Sequence, residues 1–161
     1  MTEKLAEEIM NKKVITITGN KSILYLAELL IKNNISGVPV VGEKNTLKGI
    51  VSETDIVNFV KKDKTFFPMM TFPIYSYVSL DPDIFIQSFE KNKEALSKTK
   101  VEEIMHTWVR KAKKGTPEKE IATIMSENKV NRVPIVDDDN KVIGIIARSD
   151  LVKSMIERDL K

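Results

Sequence analysis

The chain has 161 residues, 42% hydrophobic and 30% charged, the make-up of one ordinary globular domain or two small ones. Its 26 basic and 23 acidic residues are interleaved and leave a net charge of +3, which suits an anionic small ligand but lacks the dense basic stripe of a duplex binder. No cysteine and a single histidine rule out disulfides and thiolate metal sites and nearly exclude the usual nucleophile–base pairs. No run approaches the ~20 apolar residues of a membrane helix, and Met1 to Met10 has no signal-peptide stretch, so a cytoplasmic protein without membrane insertion is expected.

An internal repeat dominates the reading. Sliding the chain by 95 residues lays 6–57 on 101–152 without a gap, with 15 of 52 positions identical. The anchors are Glu-Glu-Ile-Met (7–10 and 102–105), Val-Pro-x-Val (38–41 and 133–136), Gly-Ile (49–50 and 144–145), and Asp55 and Val57 with Asp150 and Val152. The chain is a duplication: repeat 1 in 1–60, an insertion in 61–98 and repeat 2 in 99–161.

Taken in chain order, Val14 to Ile17 is short and β-branched and reads as a strand. Ser22 to Asn33 carries Ile23, Leu26, Ala27, Leu30 and Ile31 at the spacing of a helix with one buried face. Its counterpart opens Thr116-Pro117-Glu118, a cap residue followed by proline at the first helical position. Val38 to Val41 is a buried strand whose proline is expected at the strand start or on an edge, since it cannot donate to a ladder. Polar turns follow (Gly42 to Asn45, Asp137 to Asn140), then a strand from Leu47 to Val51, then a helix entered through Ser52-Glu53-Thr54-Asp55. Each half is therefore strand, helix, strand, strand, helix, an α/β (α+β) unit.

Eight of the ten aromatics lie between Phe59 and Phe89, seven of them in the insertion, which also has three of the six prolines and no glycine. A disordered linker is poor in aromatics, so the segment is expected to be covered, with an extended arm over Thr71 to Leu80 and a helix over Pro82 to Lys98. It serves either as extra core on its own module or as a docking surface, over 64–89, for a second subunit or an effector protein.

At Ile35-Ser36-Gly37-Val38-Pro39-Val40-Val41 and Gly49-Ile50-Val51-Ser52-Glu53-Thr54-Asp55, the chain resembles a CBS (cystathionine β-synthase-like) domain. Val130-Asn131-Arg132-Val133-Pro134-Ile135-Val136 and Gly144-Ile145-Ile146-Ala147-Arg148-Ser149-Asp150 repeat the resemblance, in order and in register. It implies two repeats packed with pseudo-twofold symmetry through their sheets, with clefts between them for an adenosyl ligand: AMP, ADP, ATP or S-adenosylmethionine. By resemblance, Asp55 and Asp150 accept from ribose hydroxyls, Thr54 and Ser149 reach a phosphate, and Ser36, Gly37, Val38, Pro39, Asn131, Arg132, Val133, Pro134 and Thr16 line the adenine. Lys111 replaces Thr16 in the second half and makes the two clefts unequal.

The residue chemistry agrees. A carboxylate accepts two bonds side by side, which suits a cis-diol. A hydroxyl in the first turn of a helix stands beside unpaired N–H groups and the positive dipole end. Val38 and Val133 offer apolar faces to a purine, and Arg132 offers a fork for phosphate oxygens.

Plainer roles exist for the same residues. Ser52-x-x-Asp55 fits a capping box, although Ala147, which has no side chain to cap with, weighs against that role for Asp150. Thr54 and Ser149 fit helix caps, and Arg132 fits a surface ion pair with Asp137 or Asp138. His106 reads as structural, Trp108 as packing, and the seven methionines as core filler. The expected function is thus a non-enzymatic regulatory module that senses an adenine nucleotide, needs no cofactor and works as a homodimer. A ligand-independent dimerisation scaffold is the alternative. A nucleic-acid-binding regulator comes third.

Overall fold

The computed structural model describes residues 3–61 and 90–159. The arm expected at 71–80, the docking segment 64–89 and the start of the helix expected from Pro82 lie outside the described residues.

Repeat 1 runs α1 (Ala6–Ile9), β1 (Ile17–Thr18), α2 (Ile23–Asn33), β2 (Gly37–Val41), β3 (Leu47–Ser52) and α3 (Glu53–Lys61). The end of the insertion forms α4 (Lys93–Lys98), and repeat 2 then runs α5 (Glu118–Glu127), β4 (Arg132–Val136), β5 (Val142–Ala147) and α6 (Arg148–Asp159). One sheet has the order β1-β2-β3, and the other pairs β4 with β5 antiparallel. The mixed helix and strand content matches the expected α+β class, and repeat 1 shows the expected strand order, whereas the leading strand expected in repeat 2 is reduced to one bridge.

Local chemistry sets the element ends. Ser22 caps α2, its hydroxyl accepting from Tyr25 N at 3.1 Å. α2 stops at Asn34, in the left-handed region (φ 51°), and Lys129 adopts the same conformation (φ 53°) at the equivalent place after α5. Pro117 is the residue before α5 rather than its first residue, and Thr116 Oγ1 accepts from Lys113 N instead of capping the helix.

Two expectations about the strands need correction. β1 is only two residues long, because Val14 leaves the sheet to join an apolar cluster. Pro39 sits inside β2, the central strand of its sheet, whereas Pro134 lies in β4, an edge strand of a two-stranded sheet. The second copy shows why this is tolerated. Pro134 O accepts from Ala112 N, so the ring nitrogen faces the same side, beyond the single bridge (Ala112 with Ile135) to which the neighbouring strand is reduced. No ladder donor is lost there.

The described chain forms two compact units, and they do not follow chain order. The first comprises Met1–Ile17, Pro39–Ile50 and His106–Lys161. Its larger core joins Ala6, Ala112, Ile121, Met125, Val133, Ile135, Ile146 and Leu151. Burying such side chains contributes roughly 1.5–3 kcal/mol each before entropy is counted. A smaller cluster consists of three equivalent pairs: Val41 with Val136, Leu47 with Val142, and Val14 with Val109. Beside it Thr46 bridges to Lys141, its own equivalent in the duplication, so this is where repeat meets repeat. The second unit, Thr18–Val38 and Val51–Met105, packs α2 against α3 and α4 around Ile23, Leu26, Val51 and Leu96.

The units cut across the repeats because the leading segments are exchanged. Asn11 pairs with Ile145 of β5, and at the equivalent place His106 pairs with Ile50 of β3, each through two backbone bonds of 2.9–3.1 Å. Likewise Leu5 bridges to Pro117, and Lys100 bridges to Ser22.

Candidate ligand site

The chain leaves each repeat's last strand by a tight turn into a helix, and two bonds fix that turn. In repeat 1, Glu53 N donates to Ser36 O at 3.0 Å, fastening the first residue of α3 to the segment entering β2. In repeat 2, Arg148 N donates to Asn131 O at 3.1 Å. Each turn also carries an acid that reaches back one turn. Asp55 Oδ2 accepts from Ser52 N at 2.7 Å and from Ser52 Oγ at 2.8 Å, and Asp150 Oδ2 accepts from Ala147 N at 2.7 Å. The argument from Ala147 therefore falls. The acid's half of a capping box requires only a backbone N–H from the cap residue, and alanine has one.

Around the first turn the structure brings together Ser36, Thr54 and Asp55; around the second it assembles Asn131, Arg132, Ser149 and Asp150. Ser36, Thr54, Asn131 and Ser149 are exposed, Asp150 and Arg132 are half-buried, and Asp55 is buried. Arg132 lies in β4 opposite Ala147, one residue before Arg148. Thr54 is the second residue of α3, so it is not the cap.

Other expected lining residues point elsewhere. Val38 and Val133 are 1% and 0% exposed, and Pro39 and Pro134 are buried with them, so these side chains fill core; the backbone of Gly37 is buried beside them. Thr16 is half-buried just ahead of β1. Lys111 is exposed, and its ammonium donates to Asn140 Oδ1 at 2.5 Å, in the turn between β4 and β5.

Beside the first turn is a cavity of about 490 Å³, within the 300–1,000 Å³ range of small-molecule sites. Ala27, Leu30 and Ile31 of α2 and Ile56 and Val57 of α3 form its walls, with Ser36 and Glu53 at the turn.

Trp108 does not pack as expected. It is 81% exposed, with the Arg110 guanidinium 4.2 Å above its ring. Asp138 is bonded by Lys113, whose ammonium holds the carboxyl below its ordinary range and is itself raised in return. Among the described residues no group of three His, Asp or Glu side chains is placed to hold a metal ion, and no helix is long and apolar enough to cross a membrane.

Residue-type reasoning passed over Glu53 and Arg148. They occupy the same position in the two repeats, start the two helices and carry opposite charge, a signal readable at the offset of 95.

A family model for the CBS domain matches the chain twice, over residues 6–62 and 101–157. An uncharacterised protein of Methanocaldococcus jannaschii, MJ1426, is 32% identical over 94% of this chain and 91% of its own length. In three further relatives the match falls on 23%, 46% and 22% of a longer chain. The crystal structure of the CBS domain pair of MJ0100, in complex with 5′-methylthioadenosine and S-adenosyl-L-methionine, superposes with a TM-score of 0.70 at 27% identity, covering 98% of this chain and 99% of that one. The CBS-pair protein CBSX2 of Arabidopsis thaliana shares the fold at 21% identity, with a TM-score of 0.77 over 99% of both chains. The two matched segments, the repeated turn and the shared fold together place this chain in the CBS domain family, as a tandem pair.

Proposed function

We propose that the chain is a regulatory module that binds an adenosyl ligand at its two strand-to-helix turns and catalyses nothing itself. One observation carries the reading. The same constellation is built twice: an exposed hydroxyl (Thr54, Ser149) and an anchored carboxylate (Asp55, Asp150) on a helix start tied to Ser36 or Asn131. A helix start favours a negative group, and a carboxylate accepts about four hydrogen bonds, so capping the helix and receiving a ribose diol are compatible duties. The likeness to a pair solved with two adenosyl compounds supports the ligand class. The module works as a homodimer and passes its signal on through a protein that docks on 64–89. A panel of AMP, ADP, ATP, S-adenosylmethionine and 5′-methylthioadenosine, read by thermal shift, tests this. A ligand at 100 times its Kd adds about 2.7 kcal/mol, or roughly 5–10 °C for a chain of this size. Light scattering with and without residues 64–78 tests the assembly.

A ligand-independent scaffold is the second reading. It is favoured by the same aspartates, whose bonds to Ser52 and Ala147 already give them a structural role. A melting point unmoved by any adenosyl compound at millimolar concentration selects it.

A further inference from the structure

The two turns share a backbone and differ in charge. At the first helical position repeat 1 has Glu53 and repeat 2 has Arg148, and each N–H is bonded to the segment entering the preceding strand. At the strand entry Gly37 is matched by Arg132, and at the left-handed residue ending the earlier helix Asn34 is matched by Lys129. Every one of these exchanges makes repeat 2 more positive. Lys111, whose ammonium donates to Asn140 Oδ1, carries its charge at the turn between β4 and β5 rather than at this one.

We propose that the two turns take different adenosyl ligands: the turn of Arg132, Arg148 and Ser149 takes a phosphate-bearing adenine nucleotide, and the turn of Ser36, Glu53 and Thr54 takes an adenosyl compound without phosphate, uncharged or cationic. This deepens the reading above and rests on it. A guanidinium meets phosphate oxygens in a bidentate, charge-assisted pair, and two of them flank the repeat 2 turn through the register of Arg132 opposite Ala147. In repeat 1 the same space presents a carboxylate, which repels phosphate and attracts a sulfonium or ammonium. The cavity beside that turn is lined by Ser36 and Glu53 but by neither Thr54 nor Asp55, and Glu53 is the charged residue of its mostly aliphatic wall.

Calorimetry with AMP and 5′-methylthioadenosine separates the two turns, because the probes share adenosine and differ in the phosphate. In the unmodified chain AMP should bind with marked salt dependence, and 5′-methylthioadenosine should still bind when AMP is saturating. Arg148→Glu should weaken AMP by about tenfold or more and leave 5′-methylthioadenosine within about twofold. Glu53→Arg should leave the first equivalent of AMP within about twofold and admit a second equivalent of AMP. Circular dichroism confirms that both variants are folded. Competition of the two probes for one site, or AMP binding that Arg148→Glu leaves intact and Glu53→Arg alters, overturns the assignment while the ligand reading stands. Binding of neither probe to the unmodified chain overturns both.

Discussion

Asn45 and Asn140, equivalent in the duplication, make the same bond in opposite directions: Asn45 Nδ2 donates to Val142 O at 2.7 Å, and Asn140 Nδ2 donates to Leu47 O at 3.1 Å. Both residues are left-handed, with φ of 63° and 60°. Asparagine tolerates that backbone better than other non-glycine residues, and its amide can lie along a neighbouring strand. Together with Leu47 N donating to Asn140 O at 2.9 Å, these amides close the contact of the two hairpins over the valine cluster.

Replacing either asparagine with alanine should cost about 2 kcal/mol, the sum of a strained backbone and a lost bond. Asn→Gly keeps the conformation and should cost about half as much. Urea unfolding of the four single variants checks this. Equal losses for glycine and alanine would show that conformation is not part of the effect.

Gly144→Ala should destabilise by about 1–3 kcal/mol, because a Cβ there runs into the Met10 side chain. Shortening that side chain should recover part of the loss. A double-mutant cycle of Gly144→Ala with Met10→Ala should show coupling of about 0.5 kcal/mol or more, and strict additivity would remove the explanation.

Asp55→Ala and Asp150→Ala should each cost about 1 kcal/mol in thermal melts, as lost caps. Asp→Asn keeps an acceptor and should cost less, yet should abolish the ligand-induced rise in melting temperature at the altered turn. Retention of the full rise in both asparagine variants would leave the carboxylates with the capping role alone.

The Lys113–Asp138 pair is fully exposed, so Lys113→Met should leave the melting temperature unchanged within about 1 °C. Its effect belongs to titration. Asp138 is held below its ordinary range by the Lys113 bond, so whatever the pair adds is present above the unfolded value and fades as pH falls through the lower folded one. NMR titration should find the Asp138 midpoint rising toward the ordinary range in Lys113→Met.

The offset of 95 made much of this legible. Once one bridge is seen, it names the equivalent one, as Asn11–Ile145 does His106–Ile50 and Leu5–Pro117 does Lys100–Ser22. Apolar spacing located α2 correctly, and Ser22 marked its start; the opening read at Thr116-Pro117 fell one residue ahead of α5. What stayed hidden depends on groups that residue type does not display. Asn45 and Asn140 look like any turn residue until another strand's carbonyl lies beside them. The bond from Ala147 to Asp150 uses a backbone N–H, invisible in a side-chain pattern. Val38 and Val133 offer apolar faces that suit a purine, and the fold places those side chains in the core. Trp108 was misread because aromatic size suggests packing, whereas here an arginine covers the ring in solvent.

The exchanged leading segments carry a consequence for assembly. A lone repeat of this design would present the opening of its last helix and one flank of its last strand with no chain to meet them, since the matching segment belongs to the other copy. Two such polypeptides would satisfy each other only by trading arms about a twofold axis, an exchange of identical elements that gives a closed dimer. The present chain carries both copies in one polypeptide, so the trade needs no second molecule and the two halves need not be self-complementary: Glu53 and Arg148 stand at the same place with opposite charge.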